Sequence, residues 1–290
     1  MIPQEIFDSL IDYLSLTKKS TIEIQHTSAL SGGCINHVHR IQTNIGDFCL
    51  KYNFLDRFPG MFTSEAKGLA LLKSAGELKV PNVIFTDSAG IYAYILLEFI
   101  DSGMKNSHFM EDFGRSLARL HRNTSSYFGL EIDNYMGSLP QINHKHDSWN
   151  EFFVEERLKR QVSLAVGFFS KADIDSFERI YSRLDELIPN EPPCLLHGDL
   201  WSGNYMVAND GSACLIDPAV YYGHREVDIA MTTLFGGFDP QFYTSYNEEF
   251  PLEKGWKQRM DIFTLYPLLI HLNLFGFGYL GSILSIIRKF

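Results

Sequence analysis

Hydrophobic and polar residues alternate along the first third of the chain in the manner of half-buried strands. The alternation predicts five strands, at residues 21–30, 36–42, 47–52, 82–86 and 91–97. Between the third and fourth strands, apolar residues recur at helical spacing and predict a helix over residues 63–74, with Thr63 or Ser64 as its N-cap. The sequence therefore predicts a compact α+β unit at the start of the chain.

The pattern changes after Ile100, because residues 101–107 are polar, contain glycine and suit a hinge. An irregular stretch covers residues 126–147. Helical periodicity dominates the rest, with predicted helices at 108–124, 148–166 and 172–188. Short apolar strands are predicted at 194–196, 205–207 and 213–216. We therefore expect two units, a small sheet-rich lobe over residues 1–100 and a larger helical lobe over residues 101–290.

Residues 262–287 form an apolar stretch that is long enough to cross a bilayer. Pro267, His271, Asn273 and several glycines interrupt it, so it is interpreted as buried helices near the end of the chain. Residues 1–16 are amphipathic and acidic, which does not match a secretory signal. Membrane association is therefore not expected.

Composition narrows the class of protein further. Of 290 residues, 45% are hydrophobic and 21% charged, which is normal for a soluble globular protein. The formal net charge of -10 repels phosphate backbones, so nucleic acid is not an expected partner. None of the four cysteines forms a C-x-x-C pair, which argues against a zinc site or disulfide framework and suits the reducing cytoplasm. The oligomeric state is left open.

Segment 197–204 (HGDLWSGN), followed by Asp217, carries the clearest chemical signal. Asp199 and Asn204 lie on a predicted loop, and Asp217 ends a predicted strand, so their side-chain oxygens can converge at one site. Such hard oxygen ligands suit Mg²⁺, and phosphoryl transfer needs a metal together with a carboxylate that orients the attacking hydroxyl. The spacing matches the protein-kinase catalytic loop, although Gly198 replaces its arginine and the downstream motif is I-D-P. The alternative is a polar helix-capping loop with Asp217 in a surface turn.

The first lobe contains further residues in kinase order. Gly32, Gly33 and Cys34 lie between two predicted strands, where backbone N–H groups can approach phosphates, although a simple hairpin turn would look the same. Cys34 is either a redox-sensitive thiol or an unreactive small residue. Lys51 follows on the next strand and Glu65 on the helix after it, which are the places of a kinase's phosphate-pairing lysine and its carboxylate partner.

The end of the fifth predicted strand lies at the junction of the two lobes. In a kinase this edge offers backbone groups to adenine, which makes Glu98 and Ile100 candidate nucleotide-binding residues. An ordinary strand end is equally compatible with these residues.

Taken together, the motifs resemble the small-molecule kinases of the aminoglycoside phosphotransferase and choline kinase type. Within that group the chain most resembles the fructosamine kinases, also called ketosamine-3-kinases, over nearly its full length. The segments that carry this resemblance are 128–129 (FG), 133–137 (DNYMG), 141–143 (QIN), 149–153 (WNEFF), 200–204 (LWSGN), 217–219 (DPA) and 222–228 (YGHREVD).

This resemblance implies a protein-kinase-like α+β fold with a five-stranded antiparallel sheet in the first lobe. It implies ATP-dependent phosphorylation of the 3-hydroxyl of a ketosamine, free or on a protein lysine, which destabilises the adduct and lets the amine be recovered. Asp199 would be the base, Asn204 and Asp217 the Mg²⁺ ligands, and Lys51 with Glu65 the phosphate anchor. The nucleotide would bind between the lobes.

The resemblance also bears on the acceptor side of the site. Trp201 would either wall the acceptor pocket or belong to the core. His224 and Arg225 would contact the acceptor or phosphate, or else form a surface turn. Asp228 is expected to brace the catalytic loop. Leu274 stands where related sequences often have a second histidine, which leaves the acceptor preference open.

Two alternatives differ from this prediction. One is another kinase of the same superfamily, acting on choline, homoserine, methylthioribose or an aminoglycoside. The other is a catalytically silent nucleotide-binding protein on the same fold. The presence of Lys51, Asp199, Asn204 and Asp217 argues against silence, because such proteins usually lose at least one of these groups.

Overall fold

The computed structural model describes residues 2–30 and 35–290, which fold as two lobes. The first lobe contains an antiparallel sheet of five strands in the spatial order β1-β2-β3-β5-β4. Its strands are β1 (Ile24–Ala29), β2 (His37–Thr43), β3 (Gly46–Phe54), β4 (Val83–Ala89) and β5 (Tyr92–Glu98). The five predicted strands and the predicted fold class are thus confirmed.

Helix α1 (Gln4–Lys18) covers one face of this sheet. Ile6, Leu10 and Leu14 recur every four residues, so they lie on one side of the helix and are fully buried. They pack in one cluster with sheet residues that include Leu50 and Leu96. Burying side chains of this size contributes roughly 1.5–3 kcal/mol each, which fastens the helix to the sheet.

Helix α2 (Met61–Ala75) covers the opposite face. The predicted caps at Thr63 and Ser64 are wrong, because the helix begins after Gly60, whose φ of +73° lies in the left-handed region. The Ser64 hydroxyl instead donates back to the carbonyl of Met61 at 2.8 Å. Buried apolar residues of α2 belong to the same cluster as the core of the second lobe, so this helix joins the two lobes.

The second lobe is mostly helical, as predicted. Its helices are α3 (Phe109–Leu120), α4 (Trp149–Phe152), a π-helical segment (Phe153–Leu158), α5 (Lys159–Leu164), α6 (Lys171–Leu187), α7 (Glu226–Met231), α8 (Pro240–Glu249), α9 (Trp256–Phe275) and α10 (Leu280–Ile287). Three short antiparallel strand pairs accompany them: β6 (Asn134–Met136) with β7 (Leu139–Gln141), β8 (Cys194–Leu196) with β11 (Tyr221–Gly223), and β9 (Tyr205–Val207) with β10 (Ala213–Leu215).

The stretch 126–147, predicted to be irregular, contains the hairpin of β6 and β7. Pro140 lies inside one of these strands, and proline within a run argues against a strand, so the hairpin was not predicted. The short strands predicted at 194–196, 205–207 and 213–216 are confirmed as β8, β9 and β10. The apolar stretch 262–287 covers most of α9, with Pro267 inside it, and all of α10. Residues 262–270 and Ile283, Ile286 and Ile287 are buried as predicted, whereas Phe275 and Phe277 are exposed. Over residues 2–30 and 35–290, no helix combines the length and apolar character that a bilayer crossing requires.

The polar connection after β5 is docked against the second lobe. The N–H of Gly103 donates to the carbonyl of Val207 at 2.8 Å, and Ser102 bridges to Ala208. A Cβ at Gly103 would lie 2.2 Å from the Ala208 oxygen, so only glycine permits this approach. The lobes therefore meet at a fixed junction beside β9, where the cleft begins.

Candidate active site

The loop between β8 and β9 contains the predicted catalytic segment, and a buried carboxylate holds it in place. Asp228 on α7 accepts hydrogen bonds from the N–H groups of His197 at 2.8 Å and Gly198 at 2.9 Å. Its carboxylate also lies 3.2 Å from Nε2 of His121. The prediction that Asp228 braces the loop is confirmed.

A second loop, after β10, packs directly against the first. Gly198 has a φ of +84°, and a Cβ there would lie 2.1 Å from the carbonyl oxygen of Ala219. The N–H of Ala219 donates to the carbonyl of His197 at 2.9 Å. Asp217 itself has a φ of +54°, which is uncommon for a residue other than glycine and turns the chain at this point. The two loops are thus tied together by their backbones.

Asp199 and Asn204 are held side by side on the first loop. The amide nitrogen of Asn204 donates to the backbone carbonyl of Asp199 at 2.8 Å and to its carboxylate at 2.9 Å. Desolvation raises the pKa of Asp199 to about 7. The hydrogen bond from Asn204 lowers this pKa, whereas the nearby carboxylates of Asp217 and Asp228 raise it. A carboxylate with such a pKa can accept a proton near neutral pH.

Lys51 connects the sheet lobe to this loop pair. Its Nζ lies 2.5 Å from a carboxylate oxygen of Glu65 and also forms an ion pair with Asp217. Burial alone would lower the pKa of Lys51, but the two carboxylates outweigh it and raise the pKa, so the ammonium stays charged. The structure therefore brings Lys51 and Glu65 to the same cleft as Asp199, Asn204 and Asp217.

A mostly apolar slot opens on one side of Lys51 and Asp217. It is lined by residues of both lobes that include Leu30, Val38, Cys49, Leu69, Pro81, Leu97, Glu98, Phe99, Ile100, Met206 and Ile216. Glu98 and Ile100 thus line this slot, and their contact with a nucleotide stays a prediction. The N–H of Glu98 already donates to the carbonyl of Asn82 at 2.8 Å. Such a slot suits a flat, largely apolar group next to charged side chains.

A second cavity opens on the other side of Lys51, Asp199 and Asp217. Its far wall is built by the β6–β7 hairpin and α9, through residues that include Tyr135, Met136, Gly137, Ile270, His271, Leu274 and Phe275. Trp201 lines this cavity and also packs against the core, and its contact with an acceptor stays a prediction. Leu274 lines it too. Residue spacing did not reveal that the hairpin and α9 line this cavity; only Leu274 had been connected with the acceptor side, through the family resemblance.

His224 and Arg225 are not at this site. Both side chains are buried, so the expected surface turn is wrong, and neither residue lines the two cavities. Nε2 of His224 lies 3.3 Å from the carbonyl of Pro189, and burial lowers the pKa of His224 to about 4. Arg225 donates twice to Glu191, at 2.6 and 2.7 Å. They stabilise the interior of the second lobe, and we do not retain them as acceptor-binding residues.

The remaining residues predicted from the sequence are those of the phosphate loop and the other cysteines. Gly32, Gly33 and Cys34 lie outside the described residues. Cys49, Cys194 and Cys214 are free thiols. Burial raises the pKa of Cys49 to about 11 and those of Cys194 and Cys214 to about 12, so these three thiols are unreactive at neutral pH.

Comparison with known proteins gives a consistent result. The family model described as "Fructosamine kinase" matches residues 6–290. The chain is 38% identical to an Arabidopsis thaliana protein named "Protein-ribulosamine 3-kinase, chloroplastic", over 95% of this chain and 85% of that protein. It is 40% identical to an Enterococcus faecium protein named a probable ketoamine kinase, over 89% of this chain and 93% of that protein.

Solved structures agree with this result. A Haemophilus somnus protein described as a candidate fructosamine-3-kinase superposes with a TM-score of 0.89 at 29% identity, over 99% of this chain and 98% of that chain. An aminoglycoside phosphotransferase in ternary complex with AMP-PNP and hygromycin B superposes with a TM-score of 0.64 at 14% identity, over 97% of this chain and 98% of that chain, and shares the fold. From the family match over nearly all its length and from these relatives, we conclude that the chain belongs to the fructosamine kinase family.

Proposed function

We propose that this protein is an ATP-dependent kinase that phosphorylates the 3-hydroxyl of ketosamines. The observation that carries the proposal is the convergence of Lys51, Asp199, Asn204 and Asp217 on one cleft between two cavities. The names of the relatives, ribulosamine 3-kinase and ketoamine kinase, support this class of acceptor. A silent nucleotide-binding protein is disfavoured because all four groups are present and placed together.

The apolar slot beside Glu98 and Ile100 is assigned to adenine, and the Lys51–Glu65 pair to the phosphates of ATP. A slot with apolar walls that ends at a charged lysine fits a nucleotide, because the flat faces of the base can lie against the walls and the anionic phosphates against the lysine. On this assignment residues 1–100 form the nucleotide-binding lobe and residues 101–290 the catalytic and acceptor-binding lobe.

Asn204 and Asp217 are assigned to Mg²⁺. The amide nitrogen of Asn204 donates to Asp199, so the amide oxygen would be the atom that ligates a cation. One amide oxygen and one carboxylate are the hard ligands that Mg²⁺ takes together with phosphate oxygens and water. A magnesium ion bound there would neutralise charge on the transferred phosphate.

Asp199 is assigned as the base. The acceptor occupies the cavity between the β6–β7 hairpin and α9, with its 3-hydroxyl directed at Asp199. The hydroxyl oxygen forms a bond to the terminal phosphorus while the bond from that phosphorus to ADP breaks, and the hydroxyl proton passes to the Asp199 carboxylate. Asp228 keeps the loop in position throughout, since it accepts from two consecutive backbone N–H groups.

The test is an acceptor screen with purified protein, ATP and Mg²⁺. Ribulose-, erythrulose- and fructose-derived lysines are compared with choline, homoserine, methylthioribose and an aminoglycoside, and the phosphate position is assigned by NMR. We expect phosphate on O3 of at least one ketosamine and a clear preference among the three sugars. Phosphorylation of another acceptor in place of every ketosamine, or absence of any turnover, contradicts the proposal.

A further inference from the structure

Five aromatic side chains form a continuous surface at the mouth of the acceptor cavity, which we call the aromatic shelf. Its members are Trp201, Phe235, His271, Phe275 and Tyr279. Successive ring centroids lie 5.7 Å apart from Trp201 to Phe235 and 4.6 Å apart from Phe235 to His271. From His271 the shelf continues to Phe275 at 5.5 Å and to Tyr279 at 5.0 Å.

The shelf runs from the reaction centre to the surface. Trp201, His271 and Phe275 line the cavity that contains Asp199, whereas Phe235 and Tyr279 do not. Phe275 is 55% exposed and Phe235 is 38% exposed, although large apolar side chains are favoured inside the protein. The shelf is therefore an exposed extension of the acceptor cavity.

Phe235 is held in this place at a conformational cost. Its φ of +53° lies in the left-handed region, and the glycines that follow it, Gly236 and Gly237, have φ values of +103° and +71°. A large residue in this region is strained, and such strain concentrates at binding and catalytic sites. The turn presents the Phe235 ring to its neighbours on the shelf.

The shelf is suited to a cationic or apolar ligand. Across the described part of the chain, no arginine or lysine lies over any of its five rings. Burial lowers the pKa of His271, so its ring is neutral at pH 7 and does not repel a cation. The faces of exposed aromatic rings attract ammonium groups and cover hydrocarbon.

A ketosamine has two halves that must occupy different places. When the sugar hydroxyl meets Asp199 inside the cavity, the amine nitrogen and its substituent must leave through the mouth. We propose that the aromatic shelf binds this amine half, so that the enzyme selects ketosamines by the apolar surface of the group on nitrogen. This inference rests on the proposed function.

The experiment uses one sugar and a graded set of amines. Ribulosamines of methylamine, butylamine and benzylamine are compared in kcat/KM, and their binding is measured by titration calorimetry with ADP and Mg²⁺ present. We expect the benzylamine adduct to exceed the methylamine adduct by about 10-fold or more in both measurements, the range for added apolar contacts in a binding site. Equal values for all three adducts overturn the proposal.

Variants of shelf residues test whether the preference for the benzylamine adduct arises at the aromatic shelf. Phe235→Leu and Tyr279→Ala are expected to reduce the benzyl-to-methyl ratio several-fold, while Tyr279→Phe, which keeps the ring, retains it. Phe54→Ala removes an exposed aromatic side chain that lines neither cavity and whose ring packs on Tyr92, so it serves as the control, with an unchanged ratio. A uniform loss for all adducts in the shelf variants indicates a purely structural role and overturns the proposal.

The two proposals can fail separately. If the calorimetric preference for the benzylamine adduct is present but no ketosamine is phosphorylated, the proposed function fails and the shelf stands as a binding surface. If ribulosamines are phosphorylated without regard to the amine, the function stands and the shelf proposal fails.

Discussion

Asp199 has the two properties that a proton acceptor needs, a pKa raised to about 7 and a carboxylate fixed by Asn204. We expect Asp199→Asn to lower kcat by roughly 10²- to 10⁴-fold, the usual range for losing a positioned base. ATP affinity should change little, because Lys51 and Asp217 are untouched. Steady-state kinetics and nucleotide titration measure both quantities.

The matched control is Asp175→Asn, which removes an exposed carboxylate on α6 and should leave kcat unchanged. Normal turnover in the Asp199 variant would show that the proton goes elsewhere.

His224 makes stability depend on pH. Burial lowers its pKa to about 4, while an unfolded histidine titrates near 6.5. Between these values the unfolded chain binds the proton and the folded protein does not, so the free energy of unfolding decreases as the pH falls from about 6.5 to about 4. One such group contributes a slope of at most about 1.4 kcal/mol per pH unit.

We expect His224→Asn to reduce this slope, as measured by urea unfolding at several pH values in that window. His26→Asn, at an exposed position on β1, is the control and should keep the wild-type slope. Identical slopes in wild type and His224→Asn would contradict the assignment.

Among the site residues, those with a fixed local spacing could be predicted from the sequence. Asp199, Asn204 and Asp217 lie on two loops that follow short strands, so their meeting follows from chain order. His271 could not be assigned to the cavity from its spacing, because its position depends on how α9 packs against distant segments, and Leu274 was connected with the acceptor only through the family resemblance. His224 and Arg225 were misplaced because a polar, glycine-containing sequence suggests a surface, whereas here the partly buried Glu191 pairs with the arginine.

At the scale of elements, α3 and α8 pack unusually closely around Gly114. A Cβ at this position would lie 2.3 Å from the carbonyl oxygen of Phe242 on α8. We expect Gly114→Ala to destabilise the protein by about 1–3 kcal/mol, since the helices must move apart to admit the methyl group. Thermal or urea unfolding measures the change.

Gly167→Ala is the control for this substitution, because no atom lies within 4 Å of the new Cβ. Equal stability of the two variants would mean that the helix pair adapts without cost.

Elements with a strong period were predictable. The short strands predicted at 194–196, 205–207 and 213–216 are confirmed as β8, β9 and β10, whereas β6, β7 and β11 were not predicted. The five strands of the first lobe alternate over many residues, and α6 repeats its apolar side over 17 residues. The β6–β7 hairpin is instead held by contacts that no local pattern reveals. Asn134 donates to the carbonyl of Val220 at 2.8 Å, and Gln141 donates to the side chain of Asn134 at 2.8 Å.

For the whole molecule, the ion pair between Lys51 and Asp217 joins the sheet lobe to the catalytic loops. We expect Asp217→Ala to weaken binding of ATP in the presence of Mg²⁺ and to leave binding without Mg²⁺ much less affected, because the carboxylate is the proposed metal ligand. Titration calorimetry with and without Mg²⁺ measures this difference.

Asp217→Gly is the informative companion variant, because glycine tolerates the left-handed backbone at this position and offers no metal ligand. The same loss of Mg²⁺ dependence is expected. A defect in the alanine variant alone would indicate backbone strain, and unchanged affinity in both would exclude Asp217 as a ligand.

Both cavities take their walls from both lobes. Val38 lines both the slot assigned to the nucleotide and the cavity assigned to the acceptor, and the latter is lined by Met61 of the first lobe as well as Ile270 of the second. We therefore expect a ligand that changes the spacing of the lobes in one cavity to change it in the other cavity as well. By thermodynamic reciprocity, if a bound nucleotide raises the affinity for the ketosamine, a bound ketosamine raises the affinity for the nucleotide by the same factor. The ATP concentration would then determine the ketosamine concentration at which the enzyme is half saturated.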